Sequence, residues 1–469
     1  MPCLLISSTL LWAMTLVLRG VVVMGLQVNI SQLAQGGSAA DYVGLSGNNL
    51  EERVAGFAEW YAARVNAGLW PYNKTAEAAP SITTTSVEEG GRRTQGFNFA
   101  SQDYLSLSSH PRLKAAAKEA IDEFGVHSSG SAILMGNTAL SRRLETAICS
   151  ALDYEHCLLY PTGWAAGFGV IRGLVGPEDH VVIDVLAHNC LQEGAQFATK
   201  NVSRFIHNNV AHLRRALSRI RRDNPKSGVF VVTESLFSMD SDCPDLRAVL
   251  DATKEYGAIL IVDVAHDLGI LGPTGRSSLE AAGVLGEVDL VMGSFSKVFG
   301  SNGGFVCSNS ESVTRYLRVN SSSHLFSNAL SPVQAASVGE AFAIAFSDEG
   351  SQRRARLFTA INAVRDAMTR SGMPTFGAAS PIVPMVIGSE FEARVTNHLC
   401  SGMGVLTNLA EYPVVARGQA RFRLQVQADH DVEHAVAAVN TIVAARERAQ
   451  SFCRAAGSQM DAAELVAVA

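Results

Sequence analysis

Lysine is scarce in this 469-residue chain: seven occur, at positions 74, 114, 118, 200, 226, 254 and 297, and none follows 297. Charge of either sign is thin. Only 17% of residues are charged, and 38 basic against 44 acidic side chains leave a net charge of −6. Without a basic excess, nucleic-acid binding is excluded as the main function. The eight cysteines, at 3, 149, 157, 190, 243, 307, 400 and 453, include no Cys-x-x-Cys pair. That excludes a zinc ribbon or a thioredoxin-type site, and the apolar surroundings of most of them read as free thiols in a reducing compartment. Sequons at Asn29, Asn73, Asn201 and Asn320 prove nothing about secretion in a chain of this length.

What is present is a globular composition, 47% hydrophobic, with ample chain for a buried core. Residues 1–28 form an apolar segment broken once, by Arg19. Three readings stay open for it: a membrane anchor, a targeting segment, or an upstream extension before a start at Met24. The remainder has no comparable apolar run, so the catalytic body is expected to be cytoplasmic, with anchoring or organelle targeting through residues 1–28 as the open alternatives. Residues 29–96 read as an N-terminal arm, with Thr75–Gly91 a linker or wrapping segment. From 97 to 335, short apolar runs alternate with amphipathic stretches, which indicates βα units and a mostly parallel sheet. Residues 336–450 read as a smaller α+β domain, and 451–469 as a peripheral tail.

Parallel sheets bind ligands beyond the carboxyl ends of their strands, so the residues there carry the chemistry. Lys297 is the only charged side chain between Leu290 and Ser310. It reads either as a lysine that snorkels to the surface or as a buried amine whose lowered pKa makes it a Schiff-base nucleophile. Asp263 ends the run AILIVD, with His266 three residues on and glycines at 269, 272 and 275. An Asp there either caps a turn or holds the ring nitrogen of a pyridine cofactor protonated. Metal ligation by Asp263, His266 and His188 has no supporting spacing. Thr162-Gly163-Trp164 opens a helix whose N–H groups suit an anion. Ser294 and Ser296 flank the lysine loop, and His188 puts an aromatic ring where a planar cofactor stacks.

Ten segments in order resemble one family. They are QDYLSLSSHP, GSAILMGNTALSRRLE, PTGWAAG, AHNCLQEGA, FIHNN, TESLFSMDSDCPDL, VDVAHDLGILGPTGR, GSFSKVFGSNGGFV, FSNALSP and RFRLQVQADH. Together they resemble the α-oxoamine synthases, which include 8-amino-7-oxononanoate synthase, 2-amino-3-ketobutyrate CoA ligase and serine palmitoyltransferase. The resemblance implies a fold-type-I pyridoxal-phosphate transferase: a large domain with a mostly parallel, seven-stranded sheet and a smaller C-terminal α+β domain. It implies pyridoxal 5′-phosphate joined to Lys297, with Asp263 at the pyridine nitrogen, His188 stacked on the ring and His266 near the phenolic oxygen. Glu234 and Ser238 would line the ring. Gly163, Trp164 and Ser294 would hold the phosphate, completed by Ser327 and Asn328 from the neighbouring subunit of a homodimer. Arg423 would grip the carboxylate of an amino acid.

The implied reaction condenses that amino acid with an acyl thioester, usually with loss of CO2, to give an α-amino ketone. Lys297, His188 and His266 are the implied catalytic residues, and no metal is implied. An aminotransferase and a non-catalytic subunit of a serine-palmitoyltransferase-like complex are the alternatives. Departures from the family pattern are Gln102, Ala132, Ser141, Gly167, Val264 and Asp267. They are expected where the amino acid and acyl donor are read.

Overall fold

The computed structural model describes residues 30–467, so the apolar segment 1–28 lies outside the described residues. Among the described residues, thirteen strands form two sheets. The strands β1 (Thr75–Ala76), β2 (Thr83–Val87) and β3 (Arg93–Phe99) precede β4 (His156–Tyr160), β5 (His180–Asp184) and β6 (Val202–Phe205). Then come β7 (Val229–Glu234), β8 (Ile259–Asp263), β9 (Leu290–Ser294) and β10 (Gly304–Ser308), and finally β11 (Ile382–Gly388), β12 (Val405–Ala410) and β13 (Ala420–Gln425).

The larger sheet has the order β4-β10-β9-β8-β7-β5-β6. Only β10 runs antiparallel to its neighbours. All six residues of β7 and all five of β9 are buried, as expected of strands covered on both faces. Side chains alternate between two cores. Val229, Val231, Leu260 and Val262 face one, and Phe230, Val232 and Ile261 face the other. The crossover helices follow the same economy. In Val210–Asp223, Leu213, Leu217 and Ile220 form the buried stripe, and Asn209 caps the first turn by accepting from His212 N–H. At its end, Arg221 donates to the carbonyls of Tyr256, Ser227 and Gly257, all at 2.7 Å.

The smaller sheet has the order β1-β2-β3-β12-β13-β11. Thr75–Gly91 contains β1 and β2, so it pairs into this sheet in part and is not a free linker throughout. The arm supplies half of the C-terminal sheet, with β3 parallel to β12. A buried ion cluster ties the two ends further. Glu411 accepts from Arg394 (2.7 Å) and Arg64 (3.5 Å). Other guanidinium N–H groups go to the carbonyls of Gln35, Gly36 and Gly37, while Arg64 Nε is buried without a partner. Such a cluster is costly to break, because removing one member leaves a buried charge unpaired. The final helix runs Val432–Ala467 without a break at 451, and it buries Phe452 and Ala456. The peripheral-tail reading of residues from 451 is thus corrected in its first part, since an apolar residue every fourth position holds the helix on the core. Among the described residues, no helix is long and apolar enough to cross a membrane.

Candidate active site

A cavity of about 260 Å³ opens at the carboxyl ends of the large sheet. Lys297, Asp263, His188, His266, Gly163, Trp164 and Ser294 all line it. With Thr162 and Ser296, nine of the positions singled out in the sequence therefore converge.

Each is positioned by its own element. Asp263 ends β8, and its Oδ1 accepts from Ala265 N–H at 2.8 Å. Lys297 sits in the loop after β9, open to the cavity and otherwise enclosed. Burial is the main effect that lowers its pKa; the carboxylates of Asp263 and Glu234 pull it back up, and the Arg423 guanidinium lowers it further. Burial raises Asp263, and the charges of Lys297 and His188 offset part of that rise. His266 is held well below the usual imidazole range by burial, then by Lys297 and Arg423, so its ring is neutral. Its Nδ1 lies 3.3 Å from Tyr104 Oη.

His188 caps the helix Asn189–Ala198. Its backbone N–H donates to Glu234 Oε1 at 2.5 Å, and its Nδ1 accepts from Cys190 N–H at 3.3 Å and lies 3.0 Å from Cys190 Sγ. An accepting Nδ1 leaves the ring proton on Nε2. Burial lowers this imidazole too.

At one end of the cavity the helix Gly163–Leu174 begins, with Thr162 as its cap. The first N–H groups of a helix have no partner within it, and its dipole favours an anion. A Cβ on Gly163 would lie 2.4 Å from Ser294 Cβ, so only glycine lets this turn approach β9. Ser294 and Ser296 present paired hydroxyls there, with oxygens 2.8 Å apart.

Other expected residues stand back from the cavity wall. Glu234 lies buried behind His188, its carboxyl pushed well up by burial and by Asp263. Arg423, on β13, does not line the cavity, but its charge acts on Lys297, His188 and His266. Its buried Nε and Nη2 have no hydrogen-bond partner. Ser238 lies in the turn after β7, outside the cavity lining. Ser327 and Asn328 are also outside it; Asn328 forms an isolated bridge with Ser131.

Several wall residues were not anticipated: Cys190, Met292, Asn302 and Gly303. The signal for Cys190 was its place two residues after His188 at a helix start. Met292 follows from alternation along β9.

The departures fall in different surroundings. Gln102 lines a second cavity of about 590 Å³ that shares Ser296, Lys297 and Asn302 with the first. Asp267 is buried and held by Ser235 Oγ (2.6 Å), Ser277 Oγ (3.0 Å) and Ser278 N–H (2.7 Å). Val264 is core. Ser141 is buried beside the Thr138 helix cap. Gly167 packs on Cys190, where a Cβ would lie 2.5 Å from Sγ, so an asparagine there has no room.

His207 fixes the neighbouring loops. Its Nδ1 lies 2.9 Å from buried Asp184 and its Nε2 2.8 Å from Asp242. Burial opposes the charge, but these hydrogen bonds and carboxylate charges raise the imidazole to about 10. A raised folded pKa gives stability that is full below the unfolded value near 6.5 and lost as pH rises through about 10. The melting temperature is therefore expected to fall between pH 7 and pH 10 more steeply in the parent than in His207→Gln, followed by circular dichroism. Parallel curves would contradict this role.

Residues 94–442 match the aminotransferase class I and II family. The chain is 34% identical over 344 residues to 8-amino-7-oxononanoate synthase of Geotalea daltonii, covering 73% of this chain and 87% of that protein. It is 32% identical over 345 residues to 2-amino-3-ketobutyrate coenzyme A ligase of Salmonella typhimurium, covering 73% and 85%. Serine palmitoyltransferase of S. paucimobilis, solved with a bound PLP–myriocin aldimine, superposes with a TM-score of 0.80 at 25% identity, covering 86% of this chain and all of that one. The fold and these likenesses define a pyridoxal-phosphate-dependent enzyme of the class I and II aminotransferase fold, and within that class the chain belongs to the α-oxoamine synthases.

Proposed function

We propose that the enzyme joins an α-amino acid to an acyl thioester, with loss of CO2, and that its preferred acyl group is short and uncharged. The observation that carries this reading is the second cavity, which meets the first at Lys297. A single amine facing two connected spaces suits a reaction in which a second substrate arrives at the carbon that the lysine serves.

The residues fit pyridoxal phosphate. The Gly163 turn leaves no room for a side chain and, with Ser294 and Ser296, makes an end suited to the phosphate. Asp263 stands where a carboxylate would keep the ring nitrogen protonated, and His188 offers its ring to the cavity. When bound, the cofactor supplies an electron sink for the pair left at the amino acid Cα. Arg423 would hold the carboxylate. Lys297, kept toward its neutral form by burial, would take the Cα proton. Overall, a C–C bond forms between Cα and the acyl carbonyl carbon, the C–S bond breaks, the thiol leaves, and CO2 is released.

A homodimer completes the reading. Leu134, Met135 and Phe326 are more than four-fifths exposed beside the Ser131–Asn328 bridge. An apolar group of that kind suits cover by a second copy.

For the donor, the second cavity has Lys297 as its only cation, and Pro80 is its only apolar side chain apart from backbone and stems. A carboxylate tail would find no cation there beyond Lys297, which serves the reaction, and a long alkyl chain would find one apolar side chain. The test is a set of labelled amino acids against acetyl-, pimeloyl- and palmitoyl-CoA. An acetyl donor is expected to show the highest kcat/KM, by about tenfold or more, equivalent to roughly 1.4 kcal/mol. A pimeloyl or palmitoyl optimum would overturn the donor assignment, and a keto acid product in place of an amino ketone would overturn the reaction.

A further inference from the structure

Cys190 stands in the wall of the active-site cavity, two residues after His188, and the reaction leaves its thiol without a task. It is buried, in the first turn of the helix Asn189–Ala198. Its Sγ lies 3.0 Å from His188 Nδ1. Such a pair has two forms. In one the ring has taken the thiol proton and the sulfur is a nucleophile; in the other the S–H donates and the ring stays neutral.

The backbone decides between them. Cys190 N–H also points at His188 Nδ1, at 3.3 Å. A proton on Nδ1 would confront that N–H, so Nδ1 accepts, and the sulfur beside it keeps its hydrogen and donates. Charge agrees with this geometry. Burial keeps the proton on Cys190, and the carboxylates of Asp263 and Glu234 reinforce it against the pull of Lys297. Room for the sulfur comes from Gly167, on the helix packed alongside, where a Cβ would lie 2.5 Å from Sγ.

The charge on His188 matters because of what surrounds it. Glu234 ends β7 and accepts from its backbone N–H, Asp263 ends β8, Lys297 follows β9, Arg423 lies on β13, and the ring of His266 is also near. Burial disfavours an imidazolium at His188, Asp263 favours one, and Lys297 and Arg423 oppose it. An imidazolium stacked on a pyridine ring that Asp263 keeps protonated would set one cation against another. A hydrogen bond into the bare Nδ1 stabilises the neutral ring and tips that balance.

We propose that Cys190 is a positioning residue: its S–H donates to His188 Nδ1 and holds that ring neutral, with the proton on Nε2, where it meets the cofactor. The placement of His188 against the cofactor rests on the function proposed above, whereas the bond between Cys190 and His188 does not.

The test records the imidazole ¹⁵N spectrum of histidine-labelled holoenzyme, with His188 assigned by its loss in His188→Phe. In the parent, His188 is expected to carry its proton on Nε2 and to stay neutral between about pH 6.5 and pH 8. In Cys190→Ala, the pH at which His188 gains a second proton should move up, and Cys190→Ser, which returns a donor, should move it back. Turnover should fall about two- to tenfold in Cys190→Ala, the worth of one hydrogen bond, and recover in Cys190→Ser. The absorbance of the bound cofactor should gain a pH-dependent step in Cys190→Ala that is missing when His188→Phe is added. A proton on Nδ1 in the parent overturns the direction of the bond. So does alkylation of Cys190 by iodoacetamide at neutral pH faster than that of the half-buried Cys243 and Cys453, which would mark a thiolate. An unmoved midpoint in Cys190→Ala overturns the role of the thiol. An absorbance indifferent to His188→Phe overturns the stacking of His188 and leaves the bond itself to the spectrum. The parent spectrum decides the bond even if Cys190→Ala does not fold.

Discussion

Lys297→Ala is expected to lose turnover by roughly 10²–10⁴-fold, the scale of a positioned general base, and to keep the fold. Pyridoxal phosphate should still bind, because the Gly163 turn, the paired serine hydroxyls and Asp263 are untouched. Borohydride should fix the cofactor to the parent chain at one peptide, the one holding Lys297, and should fix nothing to the variant. Lys297→Arg separates charge from chemistry. It preserves a cation near Asp263, yet a guanidinium does not give up its proton in proteins, so it should be as inactive as alanine. The scarcity of lysine sharpens the result. Of the other six, Lys74 is held far along the chain by Ser401 (3.1 Å) and Asn397 (3.4 Å) in the small-sheet region. Recovery of the label on any of those six, or turnover that survives the alanine change, would remove Lys297 from the mechanism.

The legibility of this site has a physical cause. Lys297, Asp263, His188 and the Gly163 turn all follow short, continuous apolar runs, and a parallel sheet delivers every strand's carboxyl end to one side. Local pattern was therefore enough to gather them. The small sheet was less legible because its pairing is non-local. β3 meets β12 across about three hundred residues. The Arg64–Glu411–Arg394 cluster joins residues as remote, and nothing in the spacing of lone charges announces it. β10 is hard to read from local pattern for another reason. GGFVCSNS follows the lysine loop directly, and an antiparallel return needs no helix before it. For the departures, motif position does not give side-chain direction. Asp267 turns into a cage of hydroxyls, and Gly167 faces a cysteine.

Arg423→Gln is expected to weaken kcat/KM for the amino acid by roughly 30- to several thousand-fold, the 2–5 kcal/mol typical of removing one partner from a buried charged contact. The guanidinium is largely buried on β13, and burial holds its pKa down. Its Nε and Nη2 have no partner, although these two donors share one edge of the group, the edge that meets a carboxylate in parallel hydrogen bonds. Leaving such donors empty costs free energy, and a substrate carboxylate held there would relieve that cost. That makes stability the discriminating readout. A structural arginine should lower the melting temperature when replaced, whereas removal of an unpaired buried cation should leave it unchanged or raise it. Binding gives the second readout. Bound-cofactor absorbance should report tighter association of the parent with an amino acid than with its amide, and Arg423→Gln should erase that difference. Arg423→Lys should recover only part of it, because an ammonium is a point charge without the planar fork. A variant that melts several degrees lower, or that still prefers the acid over the amide, would show that Arg423 does not hold the carboxylate.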